Sequence, residues 1–240
     1  MITASGTTRT AIAALGLSAV VVASGCTSDS PHEDEAMSVQ DLRERTRKVD
    51  KGTPCPFRFD VAAAARAAGI TQPVRPGDPQ SEGSETPARP AQPATPAVGT
   101  APAGPEIPAS PAVWGITCNY EVGASRLEVH VVGSSAADTA INMFAPVIQR
   151  GGALKTDDLV GFLRDATAAG PGTVMVTPGR GTVATARLPV AGDGDIAVVL
   201  TSTHQDALAD PAPSGPALVS MTEAIREGAR FRGDGGDSRE

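Results

Sequence analysis

The chain has 240 residues, of which 40 are Ala, 26 Gly and 21 Pro, against seven aromatic residues and a net charge of −7. So few aromatics exclude an ordinary aromatic-rich core along the full length, and the acidic balance argues against a general nucleic-acid binder, which needs a basic field to attract phosphates. Eleven prolines fall between Pro73 and Pro111, so the composition averages over unlike segments and the length allows one or two domains at most.

Residues 1–25 read as a signal peptide. Arg9 supplies a positive start, and Ala11 to Ala23 is an uncharged, mostly apolar run of 13 residues. A transmembrane helix needs about 20 such residues, so the run suits a secretory signal instead. No twin arginine precedes it, which points to general secretion. Behind it, Val22-Ala23-Ser24-Gly25-Cys26 resembles the lipobox of bacterial lipoproteins, with Ala23 where Leu is commoner. That resemblance implies diacylglyceryl transfer to Cys26 and cleavage before it; the alternative is a plain signal cut near Ala23, with Cys26 a free thiol. Three cysteines in an exported chain leave one unpaired. Lipidation of Cys26 accounts for it and leaves Cys55 and Cys118 as a pair in an oxidising compartment; the alternative is two buried thiols. Such a bridge closes about 62 intervening residues, worth roughly 4 kcal/mol by chain entropy.

Residues 26–52 form the lipidated tether and stalk. Thr27 to Glu35 is polar and acidic. Ser38-Val39-Gln40-Asp41 is a capping-box-like start to a charged helix reaching about Val49. Its apolar positions are few (Val39, Leu42, Val49), which predicts a solvated stalk helix. Residues 53–231 make a single α+β domain. Cys55-Pro56-Phe57-Arg58-Phe59-Asp60 leads into an Ala-rich helix from Val61, stopped at Gly69 and pinned by Cys55, Phe57 and Phe59. Residues 71–111 are a Pro/Ala-rich insertion, expected to be neither helix nor sheet but disordered or polyproline-like, and looped out of the domain if the disulfide forms. Thr86 and Thr95 precede prolines and are candidate O-glycosylation sites, an unmodified spacer being the plainer reading.

From Trp114 the pattern alternates with period two. Gly115 to Val122 and Arg126 to Val132 predict an antiparallel hairpin turning at Gly123-Ala124-Ser125. Leu127, Val129 and Val131 share one face, and Arg126, Glu128 and His130 share a face expected to be wet. Ser135-Ala136-Ala137-Asp138 reads as a capping box, followed by a helical stripe of Ala137, Ile141, Phe144 and Ile148 that Pro146 kinks or ends. Thr156-Asp157-Asp158 starts a helix through Leu159, Phe162 and Leu163, stopped at Gly170-Pro171-Gly172. Thr173 to Thr177, Thr182 to Val190 and Asp195 to Ser202 predict a three-stranded meander, and a last helix from near Pro216 carries Leu218, Met221, Thr222 and Ile225 on one side. The expectation is an antiparallel sheet of about five strands packed with helices, followed by a disordered tail over residues 232–240.

A search for catalytic constellations finds none. His32, His130 and His204 stand apart, and no H-E-x-x-H, C-x-x-C, G-x-S-x-G, P-loop or dinucleotide fingerprint is present. No cofactor or metal is expected. Gly179-Arg180-Gly181 and Asp193-Gly194-Asp195 read as hairpin turns rather than phosphate or calcium loops, Arg232-Gly233-Asp234 as a chance match to an adhesion tripeptide, and His130 as an exposed strand histidine rather than a pH sensor. Trp114 and Tyr120 flank Cys118 and read as core or bridge packing.

Cys55-Pro56-Phe57, the Ala-rich helix ending at Gly69, the Pro-rich gap and Cys118-Asn119-Tyr120 on a strand are similar to a family of small actinobacterial lipoproteins of unknown function. The resemblance covers about residues 53–70 and 112–200, also fits a PsbP-like sandwich, and brings no catalytic residues. The expected function is therefore a binding or interaction module anchored by lipid to the outer face of the cytoplasmic membrane, with no enzymatic activity. Its partner would be an envelope protein, a cell-wall polymer, or a small-molecule or lipid ligand, not nucleic acid. The alternatives are a structural or accessory envelope protein, whose Pro-rich segment contacts the wall, and a secreted enzyme.

Overall fold

The computed structural model describes residues 36–94, 107–204 and 212–231. The signal segment, Cys26, residues 27–35 of the tether, His32 and the tail from Arg232 lie outside the described residues. Along the chain come α1 (Val39–Thr46), α2 (Val61–Ala67), β1 (Val74–Thr86), β2 (Val113–Val122), β3 (Ser125–Ser134), α3 (Ala145–Gly152), α4 (Thr156–Ala168), β4 (Val174–Val176), β5 (Val183–Leu188), β6 (Asp195–His204) and α5 (Pro216–Glu227). The strands build one six-stranded sheet in the order β1-β2-β3-β6-β5-β4, antiparallel at every pairing. The α+β class expected from the sequence holds, with six strands instead of about five.

Side-chain alternation sorts the sheet into two faces, and each is covered. Ile116, Cys118, Leu127, Val129, Val131, Ile196, Val198 and Leu200 point to one face and pack with residues of α1, α2 and α5. Val132, Val183, Ala197 and Val199 point to the other and pack with Ile141, Ile148, Leu159 and Phe162. The wet hairpin face expected from the sequence is thus a correction: the segment after β3 runs back over it as α3 and α4. β3 then pairs with β6, not with β4, so the meander joins the sheet through its last strand.

Three local expectations also change. Residues 71–111 contain β1, which pairs with β2 over most of its length. Proline is tolerated there because β1 is an edge strand, and a register shift between Pro76 and Ser81 takes Pro79 out of the ladder. The predicted stalk helix is α1, and it is not solvated. Ser38 and Asp41 complete the capping box, but Val39, Leu42 and Thr46 are buried against the sheet. It lies close because glycine stands beneath it: a Cβ on Gly133 would come within 2.7 Å of Leu42 Cδ2, and one on Gly83 within 2.6 Å of the Thr46 carbonyl. Finally, Pro146 starts a helix instead of ending one. It sits in the first turn of α3, where its missing N–H costs nothing, and residues 135–141 form turns in place of a capped helix.

Elsewhere the sequence pattern and the structure agree. Asp60 caps α2 through a 2.8 Å bond from the Ala63 amide, Phe57 stacks between Phe59 and Phe231, and α5 buries Leu218, Met221, Thr222 and Ile225.

Candidate functional site

Three places in the fold bring chemistry-bearing groups together. The first is the disulfide. Cys55, just before α2, and Cys118, in the middle of β2, are bonded with their Cα atoms 5.5 Å apart. Cys118 has no exposed surface and Cys55 is 9% exposed, so the bond ties the α2 layer to an inner strand from within the core. It spans a sequence separation of 63 residues, which include β1.

The second is a polar cluster on the face of the sheet under α3. The two-residue turn Gly123-Ala124 sets the hairpin register so that Thr117 stands opposite His130 and Asn119 opposite Glu128. His130 is 6% exposed, and Phe144 lies over it with ring centres 5.2 Å apart. Its Nδ1 is 2.9 Å from Thr117 Oγ1, and its Nε2 faces Glu128 Oε2 at 3.4 Å without hydrogen-bond alignment. Arg126 reaches Glu128 at 2.9 Å and donates to Asn119 Oδ1 at 3.0 Å. Asn119 in turn donates to the Pro79 carbonyl of the β1 irregularity at 2.7 Å. The Glu128 carboxyl is held below its ordinary pKa: the polar contact with His130 is the largest cause, burial opposes it, and the charges of His130 and Arg126 and the Thr201 hydroxyl add to the lowering.

The sequence placed Arg126, Glu128 and His130 on one face but read that face as solvated, so His130 is a correction: it is a buried histidine in a network. Thr117 and Asn119 were missed, although the turn length alone fixes their register. Thr117, His130 and Glu128 have the connectivity of a hydroxyl, a base and a carboxylate. His130 lies beneath the Phe144 ring, however, and is almost fully buried. What the cluster does supply is a bonded path from β3 through β2 to the edge strand β1.

The third is a cleft of about 670 Å³ at one end of the sheet, lined by the end of α2 and the Gly69–Gln72 loop, the β2–β3 turn, and the segment leading into α5. Thr71, Gln72, Ser125 and Ser214 put hydroxyls and an amide on its wall, and among the described residues no charged side chain lines it. That wall suits a neutral ligand carrying hydrogen-bonding groups.

Other residues singled out by the sequence have structural places. Asp195 is buried at the start of β6 and binds the Ala140 amide and Arg187, so the Asp193-Gly194-Asp195 stretch is a turn and an anchor. Gly179-Arg180-Gly181 is the turn between β4 and β5. Trp114 is buried against α1 and donates to Glu85 at 3.0 Å. Among the described residues no group of three or more His, Cys, Asp or Glu side chains could hold a metal, and no helix is long and apolar enough to cross a membrane. No family model, curated protein or solved structure matches the chain.

Proposed function

We propose that this chain is an extracytoplasmic protein held on the outer face of the cytoplasmic membrane by lipid on Cys26, and that its folded domain is a non-catalytic binding module. The observation that carries the reading is the Cys55–Cys118 bond. A disulfide within a core belongs to an oxidising compartment. It also leaves Cys26 as the one unpaired cysteine of three, at the end of a secretory segment where a lipobox-like motif stands. The resemblance to small actinobacterial lipoproteins supports the same reading.

The binding role is supported by the cleft, whose described lining is polar and uncharged. Met37 bonds to Ala191 and α1 crosses the sheet beside Gly133 and Gly194, so the chain enters the domain at the sheet end opposite the β2–β3 turn that lines the cleft. About ten residues separate Cys26 from Met37, a reach of at most ~35 Å.

The test is membrane partition of the full-length protein expressed in a bacterium with lipoprotein processing. The wild-type chain is expected in the detergent phase on two-phase extraction and the Cys26→Ala chain in the aqueous phase. A Cys26→Ala chain that stays with the membrane would sink the anchor.

A further inference from the structure

Beyond Thr86 and before Val113, β1 and β2 do not separate. Arg89 and Ser110 exchange both backbone hydrogen bonds, at 2.9 Å each, and Gln92 and Ile107 do the same at 2.8 and 3.0 Å. These bridges keep the register of the sheet, in which Thr86 stands opposite Val113, but not its period. In an antiparallel β-ladder, doubly bonded pairs recur every second residue. Here they are three residues apart, the period of a polyproline II helix. The sequence keeps the same period on both sides: Thr86-Pro87-Ala88, Arg89-Pro90-Ala91 and Gln92-Pro93-Ala94 face Ile107-Pro108-Ala109 and Ser110-Pro111-Ala112. The first residue of each triplet supplies the bridge. Proline follows it, where no donor is needed.

The result is a two-stranded ribbon outside the six-stranded sheet. Residues 85–94 and 107–109 are all exposed. A three-residue period stacks Pro87, Pro90 and Pro93 into one row and Ala88, Ala91 and Ala94 into the next. Over residues 86–94 and 107–112 this is a repeating apolar surface with Arg89 as the single charge, carried on a backbone whose bridges already hold it in place.

We infer that this ribbon is a docking arm for a partner protein with an aromatic-lined groove and an acidic rim. Proline-rich segments of this period dock on aromatic grooves because their shape is preset and little entropy is lost on binding. An indole or phenol face packs on each proline, and a carboxylate at the rim takes Arg89. The cleft lies at the other end of the sheet, so arm and cleft can be occupied together.

The experiment uses the full-length protein in its own membrane with the photo-crosslinker p-benzoyl-phenylalanine in place of Ala91, and in place of the exposed Val160 on α4 as a control. The expected result is a saturable adduct from position 91 to one protein, mapped by mass spectrometry to a peptide bearing Trp or Tyr. The yield should fall about tenfold in Pro87→Ala/Pro90→Ala/Pro93→Ala and in Arg89→Glu, the second variant leaving every proline in place. Adducts with lipid or wall glycan, adducts on a protein surface without aromatics, yields indifferent to both variants, or no adduct would each overturn the assignment. None of these outcomes bears on the Cys26 anchor, which the partition experiment tests separately.

Discussion

Asp195 is 2% exposed, and two groups hold its charge in place. Its Oδ2 accepts from the Ala140 amide at 2.9 Å and its Oδ1 from Arg187 Nε at 3.0 Å. Arg187 also bonds the Thr167 carbonyl and pairs with Asp138 at 2.6 Å, so one buried carboxylate organises the turns between β3 and α3. Removing it leaves the buried Ala140 amide without its acceptor and takes from Arg187 one of its two carboxylate partners. Asp195→Ala is expected to destabilise the fold by roughly 1–3 kcal/mol, while Asp195→Asn keeps an acceptor and loses less. Urea denaturation of the oxidised protein reads both; equal midpoints for Asp195→Ala and wild type would contradict this role. In the sequence, Asp195 was legible as the end of a turn and the start of a strand but not as an anchor, because its partners Arg187 and Ala140 come from outside that turn. His130 was misread for a related reason. Alternation placed it correctly opposite Leu127, Val129 and Val131, but nothing in the strand itself reveals that Phe144 closes over it.

At the level of elements, α1 and β1 are where sequence and structure part. Both are polar: α1 buries only Val39, Leu42 and Thr46, and β1 contains two prolines and several charges. Each is held by contacts that the other and β2 supply. Arg47 bonds both Glu85 oxygens, at 2.8 and 3.1 Å, Trp114 bonds Glu85, and Arg43 lies 5.4 Å over the Trp114 ring. The Arg47 hydrogen bonds, then that of Trp114, lower the Glu85 pKa from 4.5 to about 2. A carboxylate lowered in the folded state stabilises fully above its unfolded pKa, and that contribution is lost as pH falls through the folded value. The clamp is therefore intact at neutral pH and loosens between pH 4.5 and about 2. Amide hydrogen exchange in α1 should report this as falling protection across that window. In Glu85→Gln, protection should start lower and lack the transition; an unchanged transition in Glu85→Gln would contradict the clamp. By contrast α5 and the β2–β3 hairpin were legible, since their apolar residues recur at the helical and strand periods and need no distant partner to be recognised.

For the whole molecule, the fold class and the cysteine pairing were readable, and the layering was not. The α+β class follows from the turn-separated strands and capped helices. The second helical layer depends on Pro146 starting α3 and on β3 pairing with β6, and no local period encodes either choice. The proline segment was half legible: its three-residue period is in the sequence, but its pairing into a ribbon requires the register set by β1 and β2. The cleft lies at one end of the sheet and the chain enters the domain at the other. The proposed function rests on two covalent features, a lipid on Cys26, which is proposed, and the bond between Cys55 and Cys118, which the structure contains. Intact mass of the membrane-extracted full-length protein, with and without reductant, tests them together. A chain beginning at Cys26 with a lipid adduct, gaining about 2 Da on reduction, is the expected result; an unmodified polypeptide mass, or no change on reduction, would contradict it.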